Sequence, residues 1–518
     1  MKLVFLHTSD LHGYVLPTDY QIKNNYQAPF SLSRVNSVIK QEREKYGTEN
    51  VIVTDAGDFL QGSPLAAYVH ENSQDNLVRY ANIYNCVGYD ARVLGNHDFD
   101  FGTDYLKQCL AYANDSFINA NIVAERTNLP AFDLAPFKII EKRGVKVGLI
   151  GCTTQYVPNW ESKEKLAGLK FVSAYEQVKA VAQKLRSQVD VLAVVYHGGF
   201  ESDPATGRAT QPHNGENEAY RILKEVPGID MLLTGHQHQR ISLVDKGTAI
   251  VQSGYRGETV AEVVLDIDDK TKKISAMTTR LIDTREVNPD SEVLHACKDL
   301  EWETQVWLDR PIAILDKPAK IKNATAARLH GSPFINLLQQ MQLYFTKADI
   351  SATALMSETA HGFDKQVTMR DLILNYPYSN QLCCVRVTGR ELRHVIEHSL
   401  AFLTKDQAGK VAFADKYIRP HSLLFNFDLF YPINYQANIS RPVGRRLTSL
   451  TFHGEEIVAD QVYHLAVNNY RAMGGGFYPE YSKDKIEFTL DKDYIQMFQE
   501  YLTSGLVNVD DVSNYHFY

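Results

Sequence analysis

Five short stretches carry the residue types that bind metal ions and move protons. They are His7-Thr8-Ser9-Asp10-Leu11-His12-Gly13, Thr54-Asp55-Ala56-Gly57-Asp58, Gly95-Asn96-His97-Asp98-Phe99-Asp100, Tyr196-His197-Gly198-Gly199 and Thr234-Gly235-His236-Gln237-His238. Each follows an apolar run, so its polar residues stand at a strand end, where layered α/β sheets place their sites. Asp10 and His12 are two apart, as are His236 and His238. In extended chain such pairs project to one side and can grip one ion together. Asp55 is expected as a bridging carboxylate, because its strand ends alone. Counting ligands assigns one ion to Asp10, His12, Asp55 and His238, and a second to Asp55, Asn96, His197 and His236. Asp58 and Asp98 read as surface or supporting groups. The mixed nitrogen and oxygen donors suit Mn²⁺, Zn²⁺, Co²⁺ or Fe²⁺ better than Ca²⁺ or Mg²⁺. Two ions ~3.5–4 Å apart clamp the attacking and leaving oxygens of phosphoryl transfer and activate water between them. His97 is left outside the ligand count. It can hydrogen-bond a transferring phosphoryl oxygen or protonate a leaving oxygen, with Asp100 holding its other ring nitrogen.

The elements that must position these residues are legible as apolar runs. Leu3–Leu6, Val51–Val53, Ala91–Leu94, Val145–Ile150, Val191–Val195 and Ile229–Leu233 read as buried strands. Ser31–Lys45 and Tyr175–Leu185 read as helices. Their alternation predicts an α/β layered domain. Thr248–Gln252 and Thr259–Asp266 add strands expected to be antiparallel. Ser291–Leu308 reads as a charged helix linking two domains. Beyond it the composition shifts to aromatic clusters (Phe425, Phe427, Phe430, Tyr431, Tyr435) and strand pairs, such as Leu450–Phe452 with Val462–Val467 around His453-Gly454. That predicts a second, α+β domain. The division expected is 1–285, a linking helix over 286–310, and 311–518.

The 518 residues carry a net charge of −8. Such a balance has no basic footprint for duplex nucleic acid. Six cysteines without a CxxC read as reduced buried thiols, not as a disulfide framework or a zinc knuckle. No run approaches the ~20 apolar residues of a membrane span. The apolar start is too short for a signal peptide, so as given the chain reads as cytoplasmic, with no membrane partner. Oligomeric state leaves no mark.

The blocks Asp10-Leu11-His12, Gly57-Asp58, Gly95-Asn96-His97-Asp98, His197-Gly198-Gly199 and Gly235-His236-Gln237-His238 resemble those of the calcineurin-like metallophosphoesterases, in the same order. Over nearly its whole length the chain resembles the two-domain 5′-nucleotidase family, and within it the bacterial 2′,3′-cyclic-nucleotide 2′-phosphodiesterase/3′-nucleotidases. This rests on Gly57–Pro64, Gly95–Gly102, Asn119-Ala120-Asn121, Asn214–Asn217, Val226–Asp230, Tyr376-Pro377-Tyr378-Ser379-Asn380, Asn426-Phe427-Asp428 and Asn468–Gly475. The resemblance implies an N-terminal metallophosphoesterase β-sandwich flanked by helices (αββα) and a C-terminal α+β domain that binds the nucleoside. It implies two aromatics stacked on the base: Tyr470, and either Phe425 or Phe427. Stacking a base is worth ~1–3 kcal/mol and tolerates any base. Relatives are often secreted or periplasmic. One departure bears on substrate. Where 5′-nucleotidases carry an Asn-Gly-Gly-Gly-Ile-Arg stretch, this chain reads Leu355-Met356-Ser357-Glu358-Thr359-Ala360-His361-Gly362-Phe363, without an arginine.

The expected activity is a dinuclear-metal phosphoesterase of nucleotides, opening 2′,3′-cyclic nucleotides and then removing the 3′-phosphate. The alternatives are a 5′-nucleotidase or UDP-sugar hydrolase, a nucleotide-binding protein without turnover, and a metalloprotein for a non-nucleotide phosphate.

Overall fold

The computed structural model describes residues 1–114, 117–211, 213–378, 380–419 and 422–518, with backbone only at 73 and 74. Ser379 of the Tyr-Pro-Tyr-Ser-Asn block lies outside the described residues. The chain divides into two compact units, Met1–Gln305 and Val306–Tyr518.

The first unit is built on two sheets. One has five strands, in the order Ile274–Asp283, Thr259–Ile267, Lys2–Thr8, Val51–Asp55, Ala91–Arg92. The other has six: Arg240–Asp245, Thr248–Ser253, Met231–Thr234, Val191–His197, Val145–Thr153, Phe137–Lys142. Alternate residues decide which way each strand faces. Leu3 and Phe5 join Ile52, Val147, Leu149, Val191, Ala193, Val195 and Leu233 in the core between the sheets. Leu192 and Val194 point the other way, into a second core with Tyr175, Val178 and Leu185 of helix Ala174–Leu185 and Ile222 of helix Ala219–Glu225. Both faces of Val191–His197 are therefore buried, which is why it reads as an unbroken apolar run. Helix Leu32–Tyr46, capped by Ser31, packs on strands of the five-stranded sheet. The layering is the αββα sandwich that the resemblance implies.

Parallel pairing brings the carboxyl ends of these strands to one edge. Thr8 lies beside Asp55, Asp55 beside Arg92, Thr153 beside His197 and Tyr196 beside Thr234. Thr248–Ser253 corrects one expectation: it is antiparallel to Arg240–Asp245 but parallel to Met231–Thr234. The helix Ser291–Leu308 extends from the first unit into the second. Its Glu301 accepts from the hydroxyls of Tyr20 and Tyr26, and its Glu303 pairs with Arg79, which ties that stretch to the first unit.

The second unit has a five-stranded sheet in the order Leu429–Tyr431, Ile350–Thr353, Val462–Asn468, Gln381–Thr388, Ile486–Asp493. A four-stranded sheet contains Leu447–Phe452 and Asn434–Ala437. The hairpin expected around His453-Gly454 is real, but its second arm is Glu455–Glu456. Val462–Asn468 belongs to the other sheet instead, where buried Leu465, Ala466 and Val467 require cover on both sides. Capping boxes at Thr368/Asp371 and Thr388/Glu391 start helices Met369–Asn375 and Gly389–Leu400. Among the described residues no helix is long and apolar enough to cross a membrane.

The ion pair of Arg471 with Asp428 sits in the second unit at about 2% side-chain exposure on each partner. It is bidentate, at 2.7 and 2.9 Å. Removing one partner leaves the other charge buried and unpaired. Asp428→Ala should therefore destabilise the C-terminal unit by about 3–5 kcal/mol in chemical denaturation. An unchanged unfolding midpoint would show that water replaces the carboxylate.

Candidate metal centre

The loops after the strands are not extended. Asp10, His12, Asp58, His236 and His238 all have left-handed backbone, with φ of 55°, 49°, 60°, 73° and 56°. Such conformations cost on the order of 1–3 kcal/mol for residues other than glycine and cluster at functional sites. The paired residues converge because the chain coils at each of them, which corrects the expectation of extended pairs. Cross-loop hydrogen bonds hold the coils: Asp10 N–H donates to Gly57 O at 2.9 Å, and His12 N–H to Asp58 O at 2.7 Å.

Asp98 organises this edge. Its buried carboxylate accepts from the backbone N–H of Asp58, Phe59, Leu60 and Gly95, at 2.8–3.0 Å. It thereby locks the Gly57-Asp58 turn against the Gly95–Asp98 turn. Asp58 returns the contact, accepting from His97 N–H at 2.8 Å. Neither is a surface group.

The central carboxylate is Asp58, not Asp55. Asp55 faces away: it accepts from Thr8 Oγ1 at 2.7 Å and from Arg92 at 3.4 Å. Arg92 itself lies over Phe59 and Phe117. Asp55 is thus the counter-ion of a buried guanidinium. Asp58 Oδ2 stands 3.7 Å from His12 Nε2 and 3.4 Å from His197 Nε2, between two groups of donors. In the first, His12 Nε2 and His238 Nε2 approach to 3.0 Å and His238 Nε2 is 3.5 Å from Asp10. In the second, Asn96 Oδ1 is 2.9 Å from His197 Nε2 and 2.8 Å from His236 Nδ1. The ligand-type triplets Asp10–His12–His238 and Asp10–Asp58–His197 each fit within 4.8 Å. Every other predicted ligand is therefore brought to this edge; Asp55 alone is turned away from it, toward Thr8 and Arg92.

The surroundings aim lone pairs inward. His12 Nδ1 donates to Gln61 O at 3.0 Å and His197 Nδ1 to Ala56 O at 2.5 Å, leaving each Nε2 for the centre. His236 is turned over: its Nε2 meets Glu216 at 3.3 Å and its Nδ1 faces Asn96. Burial pulls His12 down to about 4, so it is neutral and ready to ligate. Burial opposes the charge of Asp58, but His197 and His97 hold it well below the usual carboxylate range. Two buried carboxylates, Asp10 and Asp58, have only histidines as ion-pair partners among the described residues. No lysine or arginine among those pairs neutralises them, and the donor set fits two bridged divalent ions.

His97 lies beside His12, ring centroids 5.4 Å apart. Its Nδ1 meets Asp100 Oδ2 at 3.0 Å, leaving Nε2 as the nitrogen that can reach substrate. Burial lowers its basicity, but Asp100 and Asp58 outweigh burial and hold it at about 10. Glu216 is a supporting residue that spacing does not single out; its only signal is its place in the Asn214–Asn217 block. The signal for Asp58 is the glycine before it: Gly57, at φ 89°, packs on the Gly95 turn.

The C-terminal unit sorts the three predicted aromatics. Phe427 is a core residue, against Phe413 and Phe402, and is removed from base stacking. Phe425 is half-buried. Tyr470 is half-buried too, but the Gly475 backbone covers one face of its ring. The open aromatic of the glycine turn is Phe477, 61% exposed at φ 63°. Arg471 joins the two loops, donating to Asn426 Oδ1 and to Gly475 O, and Tyr478 donates to Asn426 O. An arginine also stands at the segment that lacks one in sequence. Arg328, from helix Ala324–His330, donates to Leu355 O at 2.8 Å and to both oxygens of Glu358 at 2.9 and 3.0 Å.

The profile of calcineurin-like phosphoesterases matches residues 3–240, and that of the 5′-nucleotidase C-terminal domain matches 311–483. A Staphylococcus aureus protein assigned to the 5′-nucleotidases and solved with α-ketoglutarate is 33% identical. Each chain covers 100% of the other, with a TM-score of 0.90. The 2′,3′-cyclic-nucleotide 2′-phosphodiesterase/3′-nucleotidase of Salmonella typhimurium is 27% identical over 92% of this chain and 82% of its own length. A trifunctional nucleotide phosphoesterase of Bacillus subtilis is 23% identical, and the match spans 97% of this chain but only 38% of that protein.

The two aspartates are separable by experiment. Asp58→Asn should lower the metal retained after dialysis, read by elemental analysis. Asp55→Asn should retain metal while lowering the unfolding midpoint, because Arg92 loses its counter-ion. The reverse pattern would restore Asp55 as the shared ligand.

Proposed function

We propose that this chain, which belongs to the calcineurin-like phosphoesterases carrying a 5′-nucleotidase C-terminal domain, opens 2′,3′-cyclic nucleotides and then hydrolyses the 3′-phosphate. The observation that carries the reaction class is the pair of donor groups meeting at Asp58, with His97 beside them. Asp10, His12, Asp58 and His238 would hold one divalent ion, and Asp58, Asn96, His197 and His236 the other. Such ions supply Lewis acidity at the phosphoryl oxygens and lower the pKa of water. Asp58 and Asp10 set the spacing of the two positions, because both are buried and held by cross-loop hydrogen bonds. His97 Nε2 donates to a phosphoryl oxygen or to the leaving oxygen, and Asp100 orients the ring through Nδ1 and keeps it cationic. Phe425 and Phe477 offer the aromatic surface for the base.

Cyclic substrate is supported by the departure in the 355–363 segment and by the likeness to the named Salmonella enzyme. A 5′-nucleotidase is the second reading. The likeness to the Staphylococcus aureus protein assigned to the 5′-nucleotidases favours it.

The deciding assay measures phosphate and nucleoside released from 2′,3′-cyclic AMP, 3′-AMP and 5′-AMP, with Mn²⁺ and with chelator. Metal-dependent turnover of the first two, with 5′-AMP slow, is expected; turnover of 5′-AMP alone moves the chain to the second reading. His97→Ala should lower kcat by about 10²–10⁴ with metal content unchanged. Phe477→Ala should raise KM for nucleotides by more than for an aryl phosphate diester; equal changes would remove base stacking there.

A further inference from the structure

A second set of metal-type donors lies in the C-terminal unit. Cys384, His464 and Glu487 stand on three adjacent strands of the five-stranded sheet, with the Cys384 strand in the middle. His464 Nδ1 is 2.7 Å from Glu487 Oε2, and Cys384 Sγ is 3.7 Å from the same oxygen. One donor atom from each residue lies within 4.8 Å of the other two.

The sheet is built to allow this. Cys384 pairs with Phe488, whereas the next residue, Val385, pairs with Ile486. Glu487 is the extra residue of that register shift. In a regular strand, neighbours point to opposite faces, so Glu487 would be denied the face shared by Cys384 and Phe488. The bulge re-aims it. Asp349 anchors the third strand, accepting from His464 N–H at 2.8 Å and donating its own N–H to His464 O at 3.0 Å. Cys384 is buried, while His464 and Glu487 are open to solvent. The thiol is thus shielded from oxidants yet turned toward an accessible carboxylate and imidazole.

We propose that Cys384, His464 and Glu487 form a binding site for one transition-metal ion of the Zn²⁺ class, with water completing its coordination. Thiolate, imidazole and carboxylate together select such ions over Mg²⁺ or Ca²⁺. Tetrahedral zinc with ordinary bond lengths separates its sulfur and oxygen ligands by about 3.5 Å, close to the spacing found here. Binding exchanges the Cys384 proton, released to solvent, for the metal–sulfur bond. It also breaks the His464–Glu487 hydrogen bond. Arg386, 3.9 Å from Glu487 Oε1 and more than half exposed, is free to swing aside. Burial and Glu487 push the Cys384 thiol up to about 12, so it stays protonated until a cation takes the proton's place.

Sulfur makes the site distinguishable, because the Asp58 centre has no sulfur ligand. The whole chain is stripped with chelator and titrated with Co²⁺, and the near-ultraviolet thiolate-to-Co²⁺ charge-transfer band is read. The band should appear in the native protein and in Cys383→Ser, and vanish in Cys384→Ser. His464→Gln, at a side chain open to solvent, should weaken the titrated affinity by about tenfold or more. Zn²⁺ bound per chain should fall by one ion in Cys384→Ser. Absence of the band from native protein, or its persistence in Cys384→Ser, would overturn the site and leave His464–Glu487 as a surface ion pair.

Discussion

Asp98 is the constraint on which the first unit's chemistry depends. One buried carboxylate satisfies four backbone N–H groups from two turns that are nearly forty residues apart in sequence. Without it those donors would be buried and unpaired, each at a cost of about 1–3 kcal/mol. Because the turns are locked, Asp58, Asn96 and His97 are delivered together, and the Gly57 and Gly95 backbones pack too closely for a Cβ on either. Hydrogen bonds from the Asp10–His12 loop to Gly57 O and Asp58 O attach the third turn to the same frame.

That frame holds an arrangement that a folded chain would not otherwise choose. Five ligand-type residues have left-handed backbone, and two carboxylates are buried without a lysine or arginine in their described ion pairs. The sandwich makes this tolerable. Its central strands are buried on both faces, so the strand ends are rigid, and strain at the loops is outweighed by the cores beneath them. Histidine tautomers set by Gln61 O and Ala56 O complete the preparation for cations.

The C-terminal unit uses the same device with the opposite charge. Arg471, buried and bidentate on Asp428, reaches Asn426 and Gly475 and so joins the loop bearing Phe425 to the turn bearing Phe477. Gly475 and Gly476 are required by this approach: a Cβ on either would collide with the ring of Tyr470 or with Arg471. The Gly474-Gly475-Gly476 run is therefore a packing feature as much as a turn.

Much of this was legible in the residues alone. Apolar runs marked the sandwich strands, and apolar periodicity marked the helices over 31–45 and 175–185, because burial is a local demand. The loops that meet around Asp58 were marked by histidines and carboxylates directly after those runs. What the sequence could not decide was which of two aspartates three residues apart faces the centre. Asp55 ends its strand and is the natural choice by spacing, but Arg92, from the neighbouring strand, claims it. Likewise Arg328, from another helix, is hydrogen-bonded to Leu355 O and Glu358 of the 355–363 segment, and Phe427 is buried in the core while Phe477 stays open. Periodicity and spacing report what a residue does within its own element. Which buried charge pairs with which, and which ring is left uncovered, depends on neighbours that only the folded chain brings together.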